Sequence, residues 1–316
     1  MWQWKAFCNW IREVLLAQYV PEKDGVVVDI APVPHGLDGG KIARCGLSRY
    51  VTLTQYPDAG RDAATCASKR GVKSTSSVSE VNLCDELLDP REYSGLSPYS
   101  FDTVLAMDPG GVVSHSFRDE TSARVLMNNV AKCLRPGGIF CGILPDSSEL
   151  FKLVSKMQMR ESMTKSTEEG NDDDDMDGTT KAAKPYLFPP VKGELFKVQF
   201  DVGSFEKYGT VFSMRIGENE CYQGALVHFP SFISVARTVG LQLVEMKNFR
   251  DVYEEHQSHY ADKIAAANLK QLHHNQLEVI GLYHVIIHSL FHVHLFHCCL
   301  LLFSGMFTTF AFVKVP

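Results

Sequence analysis

The chain has 316 residues, 45% of them hydrophobic and 22% charged, with a formal net charge of −6. That length allows one or two domains with ample core, and the acidic balance disfavours a generic nucleic-acid binder. Nine cysteines, an odd total with no CxxC pair, argue against a disulfide framework or a zinc cluster and for a reducing compartment.

In chain order, MWQWKAFCNWIREVLLAQYV reads as an amphipathic helix with Arg12 and Glu13 in its interior rather than as a signal peptide. Gly25 to Ala31 is an apolar run that predicts a central buried strand, followed by a loop, PVPHGLDGGKIARCG, that enters a short helix. Residues 49–54 predict a second strand, 60–70 a helix and 78–83 a weaker third strand.

The most informative stretch is 101–150. The run from Phe101 through Val104 and Leu105 predicts a buried strand. Ala123, Leu126, Met127, Val130 and Leu134 then share one helical face, and Pro136-Gly137-Gly138 stops that helix before a second strand at Ile139–Leu144. Strand, helix, LxPGG turn and strand make a βαβ crossover of a parallel sheet. The β/α alternation up to residue 150 predicts an α/β chain with a doubly wound, mostly parallel sheet. Ligands of such sheets sit at the carboxyl ends of the strands, which places Met107-Asp108, Ser114-His115 and Pro145-Asp146-Ser147 on the working edge.

Seven acids crowd into Glu168–Asp177, and without them the chain would stand near +1, so residues 161–185 read as a disordered acidic loop. Beyond it, Leu195–Phe200 and Val211–Ile216 predict a hairpin with Tyr208-Gly209 between. Ala225–Phe229 reads as short and extended, Ser231–Val239 as a helix, Leu241–Lys247 as a strand and 250–275 as one polar helix. From Val279 to Val313 there is no Lys, Arg, Asp or Glu, yet five histidines interrupt the run. The length would suffice for a membrane span, but imidazoles across a bilayer centre are costly, which disfavours one. The spacing of His284, His288 and His292 would put three imidazoles on one helical face, where they could ligate zinc. The favoured reading is a soluble strand, Glu278–Tyr283 joined to Thr308–Val315, interrupted by a His-rich insertion over 284–307. A transcript lacking those codons would support it. The organisation expected is therefore a cofactor-side half over 1–160, the acidic loop 161–185, further elements over 186–283, the insertion 284–307 and the strand end 308–316.

Two blocks carry a resemblance. LRPGGIFCGILPDSSEL (Leu134–Leu150) and ALVHFPSFISVARTVGLQLVEMKNFRDVYEE (Ala225–Glu255), together with FDTVLA and Ser114–Phe117, resemble the S-adenosylmethionine-dependent mRNA cap guanine-N7 methyltransferases, most of all the divergent second form found in plants. The resemblance covers roughly residues 12–283 and 308–315. It implies a sheet of the S-adenosylmethionine-dependent methyltransferase type with a C-terminal cap-side insertion and an antiparallel last strand. It further implies S-adenosylmethionine as cofactor, the 5′ guanosine cap of RNA as substrate, no DNA and no metal, and a nuclear location. Guanine N7 carries a free lone pair, so no catalytic nucleophile or base is expected.

By the same resemblance, Asp29, Gly36, Asp38, Lys41, Asp58, Asn82, Met107 and Asp108 are the candidate cofactor-binding residues. Ser114, His115, Pro145, Ser147, Tyr208, Gly209, Phe212 and Tyr283 are the candidate cap-binding residues. The chain departs from the family pattern at several of these places. Pro32 and Pro34 flank Val33 where a glycine cradle is expected, the second strand ends in Thr54-Gln55 rather than an acid, and Asn82 replaces an acid. Met107-Asp108 stands where a Gln is expected, and a guanine-binding Glu falls near Gly224. Two alternatives to an active cap methyltransferase are a catalytically impaired relative that binds RNA caps or proteins, and a small-molecule methyltransferase on the same scaffold.

Overall fold

The computed structural model describes residues 4–33, 39–93, 96–108, 111–168, 188, 190–201, 203–218 and 220–290. The first half runs α1 (Trp4–Tyr19), β1 (Val26–Asp29), α2 (Gly39–Arg44), β2 (Arg49–Thr54), α3 (Pro57–Lys69), β3 (Ser74–Ser79), β4 (Phe101–Ala106), α4 (Val112–Ser116), α5 (Glu120–Cys133), β5 (Leu134–Pro145) and α6 (Ser147–Glu168). The second half adds β6 (Val191–Lys192), β7 (Phe196–Phe200), β8 (Val211–Ile216), β9 (Glu220–Ala225), α7 (Phe229–Thr238), β10 (Leu241–Asn248), α8 (Phe249–His256), α9 (Ala261–Ala266), α10 (His274–Ile280) and β11 (Tyr283–Leu290).

The main sheet has the order β10-β11-β5-β4-β1-β2-β3. Strands β5, β4, β1, β2 and β3 are mutually parallel, and β11 runs antiparallel between β5 and β10. This is the doubly wound, mostly parallel sheet that the sequence predicts, with the antiparallel last strand that the resemblance implies. Successive residues of β1 feed opposite faces. Val27 joins a core with α1, α8 and the second sheet, whereas Val28 joins a core with α5 and α7. Burial on both faces is why the strand reads as an unbroken apolar run rather than an alternating one. A separate antiparallel sheet, β6-β7-β8-β9, contributes Val198, Phe200, Phe212 and Met214 to the first of those cores.

Local chemistry accounts for the helix starts. Pro57 opens α3, where a missing N–H costs nothing. Gly60, Ala63, Ala64 and Ala67 form the buried face of α3, and a Cβ on Gly60 would lie 2.8 Å from Ser77 Oγ and 2.9 Å from Thr54 Cγ2, so only small residues let this helix approach β2 and β3. The Asp119 carboxylate accepts from the Ser122 N–H at 2.7 Å and caps α5. Asp146 does the same for α6, accepting from Ser148 and Glu149 N–H groups at 2.9 and 3.0 Å.

Several expectations are corrected. The third strand lies at 74–79, because its Ser- and Thr-rich sequence hides it while Val81 and Leu83 beyond it are apolar but belong to a loop. Glu220–Ala225 is a strand, β9, and residues from Phe229 are already helical. The polar helix expected over 250–275 is three short helices; α9 ends where Asn268 takes a left-handed conformation, φ 56°. Helix α6 continues to Glu168, eight residues into the stretch read as loop; the rest of that acidic run lies outside the described residues.

The tail also differs from expectation. Residues 274–280 are helical, and Tyr283–Leu290 forms the last described strand; Thr308–Val315 lies outside the described residues. Tyr283, Val285 and Ile287 point inward at 0–1% exposure, so 283–290 supplies the alternation that the rejoined strand was meant to supply. Because 284–290 is extended, His284 and His288 do not stand at the helical spacing expected of them; His292, with the rest of 291–316, lies outside the described residues. Among the described residues, no helix is long and apolar enough to cross a membrane.

Candidate functional site

Strand order reverses between β1 and β4, and in open α/β sheets such a switch point opens a crevice at the carboxyl ends of the strands. A cleft lies there. It is lined by Ile30, Ala31 and Pro32 after β1, Thr54, Gln55 and Tyr56 after β2, Val81 to Cys84 after β3, Asp108 and Gly111 after β4, and Val112, His115 and Arg118 on and after α4.

Asp29 does not enter the cleft itself. It is buried, accepts the Tyr50 hydroxyl at 2.8 Å and the Ala31 N–H at 3.1 Å, and so fixes the turn that presents Ile30 and Ala31. The Thr54 hydroxyl accepts the Tyr56 N–H at 3.1 Å and shapes the end of β2. The Asn82 amide oxygen accepts the Cys84 N–H at 3.1 Å, while its NH2 donates to Asp85. The loop carrying Asn82 is tied to α5 by Asn129, which donates to the carbonyls of Leu83 (3.0 Å) and Glu86 (2.8 Å) and accepts from the Leu88 N–H (2.8 Å).

Of the candidate cofactor residues, the structure thus gathers Asn82 and Asp108 in one cleft, with Asp29 supporting it. Asp58 is not brought there. It sits in the first turn of α3, its side chain 93% exposed and paired with Arg61 at 3.5 Å. Its place four residues past Thr54 carries it out onto the helix. Lys41 is not there either, its Nζ lying 3.4 Å from Asn9 Oδ1 beside a separate groove with Glu13, Arg44 and Lys263. The Met107 side chain is core, at 2% exposure. Gly36 and Asp38 lie outside the described residues.

On the cap side, His115 lines the same cleft. Ser114 is buried, its hydroxyl donating to the Ala225 carbonyl at 2.7 Å, and a Cβ on Gly224 would sit 2.5 Å from that hydroxyl. A Glu at 224 therefore has no room in this arrangement. Gly209 adopts φ 79°, and its N–H donates to the Phe117 carbonyl at 2.9 Å, which lays Tyr208 on Phe117 with ring centroids 5.4 Å apart. Burial raises the Tyr208 hydroxyl above its ordinary value. Pro145 ends β5, paired in register with Tyr283, and Ser147 opens α6. Phe212 and Tyr283 are fully buried. Tyr283 lies between Trp4 (5.1 Å) and Phe249 (5.5 Å), its hydroxyl donating to Met214 Sδ at 3.4 Å. Both rings are packing residues in this structure, because β8 and β11 turn these positions toward the core between the two sheets.

Sequence reasoning missed Thr54, Gln55, Cys84 and Arg118 as cleft residues. Arg118 pairs with Asp85 and with Asp119, the latter at 3.4 Å. Arg118 follows α4 rather than lying on it, so no helical spacing from His115 marks it in the sequence. Burial pushes the Cys84 thiol up to about 11, so it stays protonated and is no nucleophile at neutral pH. Among the described residues, no group of three or more His, Cys, Asp or Glu could hold a metal ion.

The lining suits a nucleoside with a polar tail. Ile30, Val81, Leu83 and Val112 offer apolar walls, Asn82 and Gln55 offer amides, and Asp108 a carboxylate. A side chain at Gly111 would meet Asp108 O at 2.9 Å and Ala31 Cβ at 3.2 Å, so glycine is what lets the β4 turn close against β1.

Comparison with known proteins bears out the family resemblance. Residues 99–174 match the model of the mRNA (guanine-N(7))-methyltransferase domain. The mRNA cap guanine-N(7) methyltransferase 2 of Arabidopsis thaliana is 34% identical over 155 residues, 48% of this chain and 39% of that protein. The protein of the same name from rice, Oryza sativa subsp. japonica, is 26% identical over 205 residues, 59% of this chain and 55% of that protein. The chain thus spans about half the length of these curated relatives. Among solved structures, a putative S-adenosylmethionine dependent methyltransferase from Listeria monocytogenes superposes with a TM-score of 0.47 at 13% identity, covering 90% of this chain and 97% of that one.

Proposed function

We propose that this chain is an S-adenosylmethionine-dependent methyltransferase that transfers methyl to N7 of the capping guanosine of RNA. The observation that carries the reading is the cleft at the β1/β4 switch point, whose β4 and α4 walls fall inside the stretch matching the cap methyltransferase domain.

Bound S-adenosylmethionine supplies an electrophilic methyl on a sulfonium, and the N7 lone pair needs no base to reach it. The residues of this chain therefore have three tasks: to bind, to align and to exclude water. Ile30, Val81, Leu83 and Val112 would enclose the adenine. Asn82, whose amide oxygen has a second lone pair beyond the bond to Cys84, would accept from its amino group. His115, at the rim and next to the Tyr208–Phe117 stack, would meet the guanosine, with Pro145 and Ser147 along the same strand edge. Arg118 is the cation among the lining residues and would face an incoming phosphate chain. The reading places the protein in the nucleus, where a tagged full-length chain is expected.

A second reading has its own observation. Phe212 and Tyr283 are sealed in the core, and β2 ends without a carboxylate in the cleft. A relative that keeps the fold to bind caps or proteins, without transfer, would look the same. One experiment separates the two: calorimetric titration of S-adenosylmethionine into the full chain, followed by a labelled-methyl assay on capped and uncapped RNA. Micromolar binding with label appearing only on capped RNA supports the enzyme. Binding without transfer, or cap binding without cofactor, overturns it in favour of the second reading.

A further inference from the structure

We infer that Asp85 is the positioning residue that fixes which way the Asn82 side-chain amide is turned, and that this sense makes the chain read a 6-amino purine and refuse a 6-oxo one. The inference rests on the cofactor reading above, in which Asn82 meets the adenine amino group. A carboxylate at that position could only accept. An amide accepts at one end and donates at the other, and a half-turn exchanges the two. An unheld amide would serve an amino or an oxo group equally well. Asn82 is held at both ends. Its Oδ1 accepts the Cys84 N–H at 3.1 Å, and its Nδ2 donates to Asp85 Oδ2. The reversed amide would set its NH2 against that N–H and its oxygen against that carboxylate, two repulsive contacts in place of two hydrogen bonds.

Of the two contacts, the one to Asp85 involves a charge and outweighs the neutral one to Cys84. The carboxylate is itself held. Its other oxygen, Oδ1, pairs with the Arg118 guanidinium. Arg118 Nε in turn donates to Ser122 Oγ at 3.1 Å and lies 3.4 Å from Asp119 Oδ2. Asp119 caps α5 and Ser122 sits in its first turn, while Asn129 on the same helix ties down the backbone of the Asn82 loop. With Oδ1 engaged by Arg118, Oδ2 is the oxygen turned to the amide. Asn82 and Arg118 both line the cleft, and Asp85 does not. Its side chain is 43% exposed, so it is no core-packing residue either. The carboxylate therefore acts on a ligand through Asn82 rather than by touching it.

The test is a set of calorimetric titrations of the full chain with S-adenosylhomocysteine and S-inosylhomocysteine, which carry an amino and an oxo group at the same purine carbon. The wild type is expected to prefer the adenosyl ligand. D85N keeps the size of the side chain but can face either end of the Asn82 amide, so the preference should fall about tenfold. N82D/D85N exchanges the two groups; the carboxylate it sets in the cleft can only accept, and the preference should return. Ligand-free melting temperatures are read alongside. A merely structural role for Asp85 would lower them and weaken both ligands together, leaving the ratio where it was. Should D85N not fold, the exchanged pair measured against the wild type decides. If the wild type binds both ligands equally, if D85N keeps the wild-type ratio, or if the exchanged pair lacks the preference, the inference is overturned while the cofactor reading stands. If the wild type binds neither ligand, the cofactor reading falls and the inference with it.

Discussion

Asn129 shows how one buried polar side chain can hold a site it does not touch. It is 1% exposed and makes three hydrogen bonds to the backbone of the loop that presents Asn82 and Cys84 to the cleft. Replacing it with alanine leaves two carbonyls and one N–H without partners, at roughly 1–3 kcal/mol for each buried group left unsatisfied. N129A is expected to lower the urea midpoint clearly while leaving the far-UV spectrum intact. An unchanged midpoint would mean that water replaces the amide. Asp119 offers a pH-dependent counterpart. The Ser122 backbone N–H is the largest influence and lowers its carboxyl below the ordinary 3.8; burial opposes it, and the Ser122 hydroxyl and Arg118 add to the lowering. A lowered folded value means that the stabilisation is fully present above 3.8 and is lost as pH falls through the folded value. As an N-cap, Asp119 should contribute about 0.5–2 kcal/mol. The stability gap between wild type and D119A should be constant from neutral pH down to the ordinary carboxylate range and close below it, as read by denaturation at stepped pH. His115 and Asp108 were legible in the sequence as edge residues, because both follow the strand at the head of the βαβ signature. Arg118 and Gln55 were not, since nothing in their local pattern marks them as facing a cleft.

At the scale of elements, the LxPGG turn and the last strand are the most informative. Gly137 sits at φ 77°, and a Cβ on Gly138 would lie 2.9 Å from the Arg135 carbonyl and 3.0 Å from the Phe101 carbonyl. One glycine is needed for its backbone conformation and the other for close approach to β4. G138V is expected to cost about 1–3 kcal/mol, with thermal melting as the readout. The last strand makes a sharper case. β11 is hydrogen-bonded to β5 over Tyr283–Ser289 and to β10 over His284–Leu290. A chain ending at Tyr283 would strip both neighbours of their partner and expose the face against which Val285 and Ile287 pack. A chain ending at Leu290 keeps every pairing described. The first is expected to aggregate or melt far below the second in matched thermal scans. Equal melting would sink the role assigned to 284–290. The sequence misled here because the absence of charge and the run of histidines drew attention to composition, whereas the decisive pattern was the short alternation Tyr283, Val285, Ile287.

For the molecule as a whole, the alternation of apolar runs and amphipathic segments was enough to determine a doubly wound sheet, its βαβ centre and the edge that carries the candidate site, because strands buried on both faces and helices buried on one leave periodicities that survive in one dimension. Three things were decided only by tertiary packing. The second sheet pairs β9, a strand whose Ala225 carbonyl accepts the Ser114 hydroxyl from 111 residues earlier in sequence and whose Gly224 leaves that hydroxyl room. Phe212 and Tyr283, aromatics of the kind that stack on bases, became core residues because two sheets close over them. Asp58, the acid nearest the end of β2 in sequence, was carried away by helix α3, while Asp108 was held at the switch point. Residue type says which groups can bind a nucleoside or a cation. Which of them share one crevice depends on strand order and on contacts far apart in the chain, and no local pattern records those.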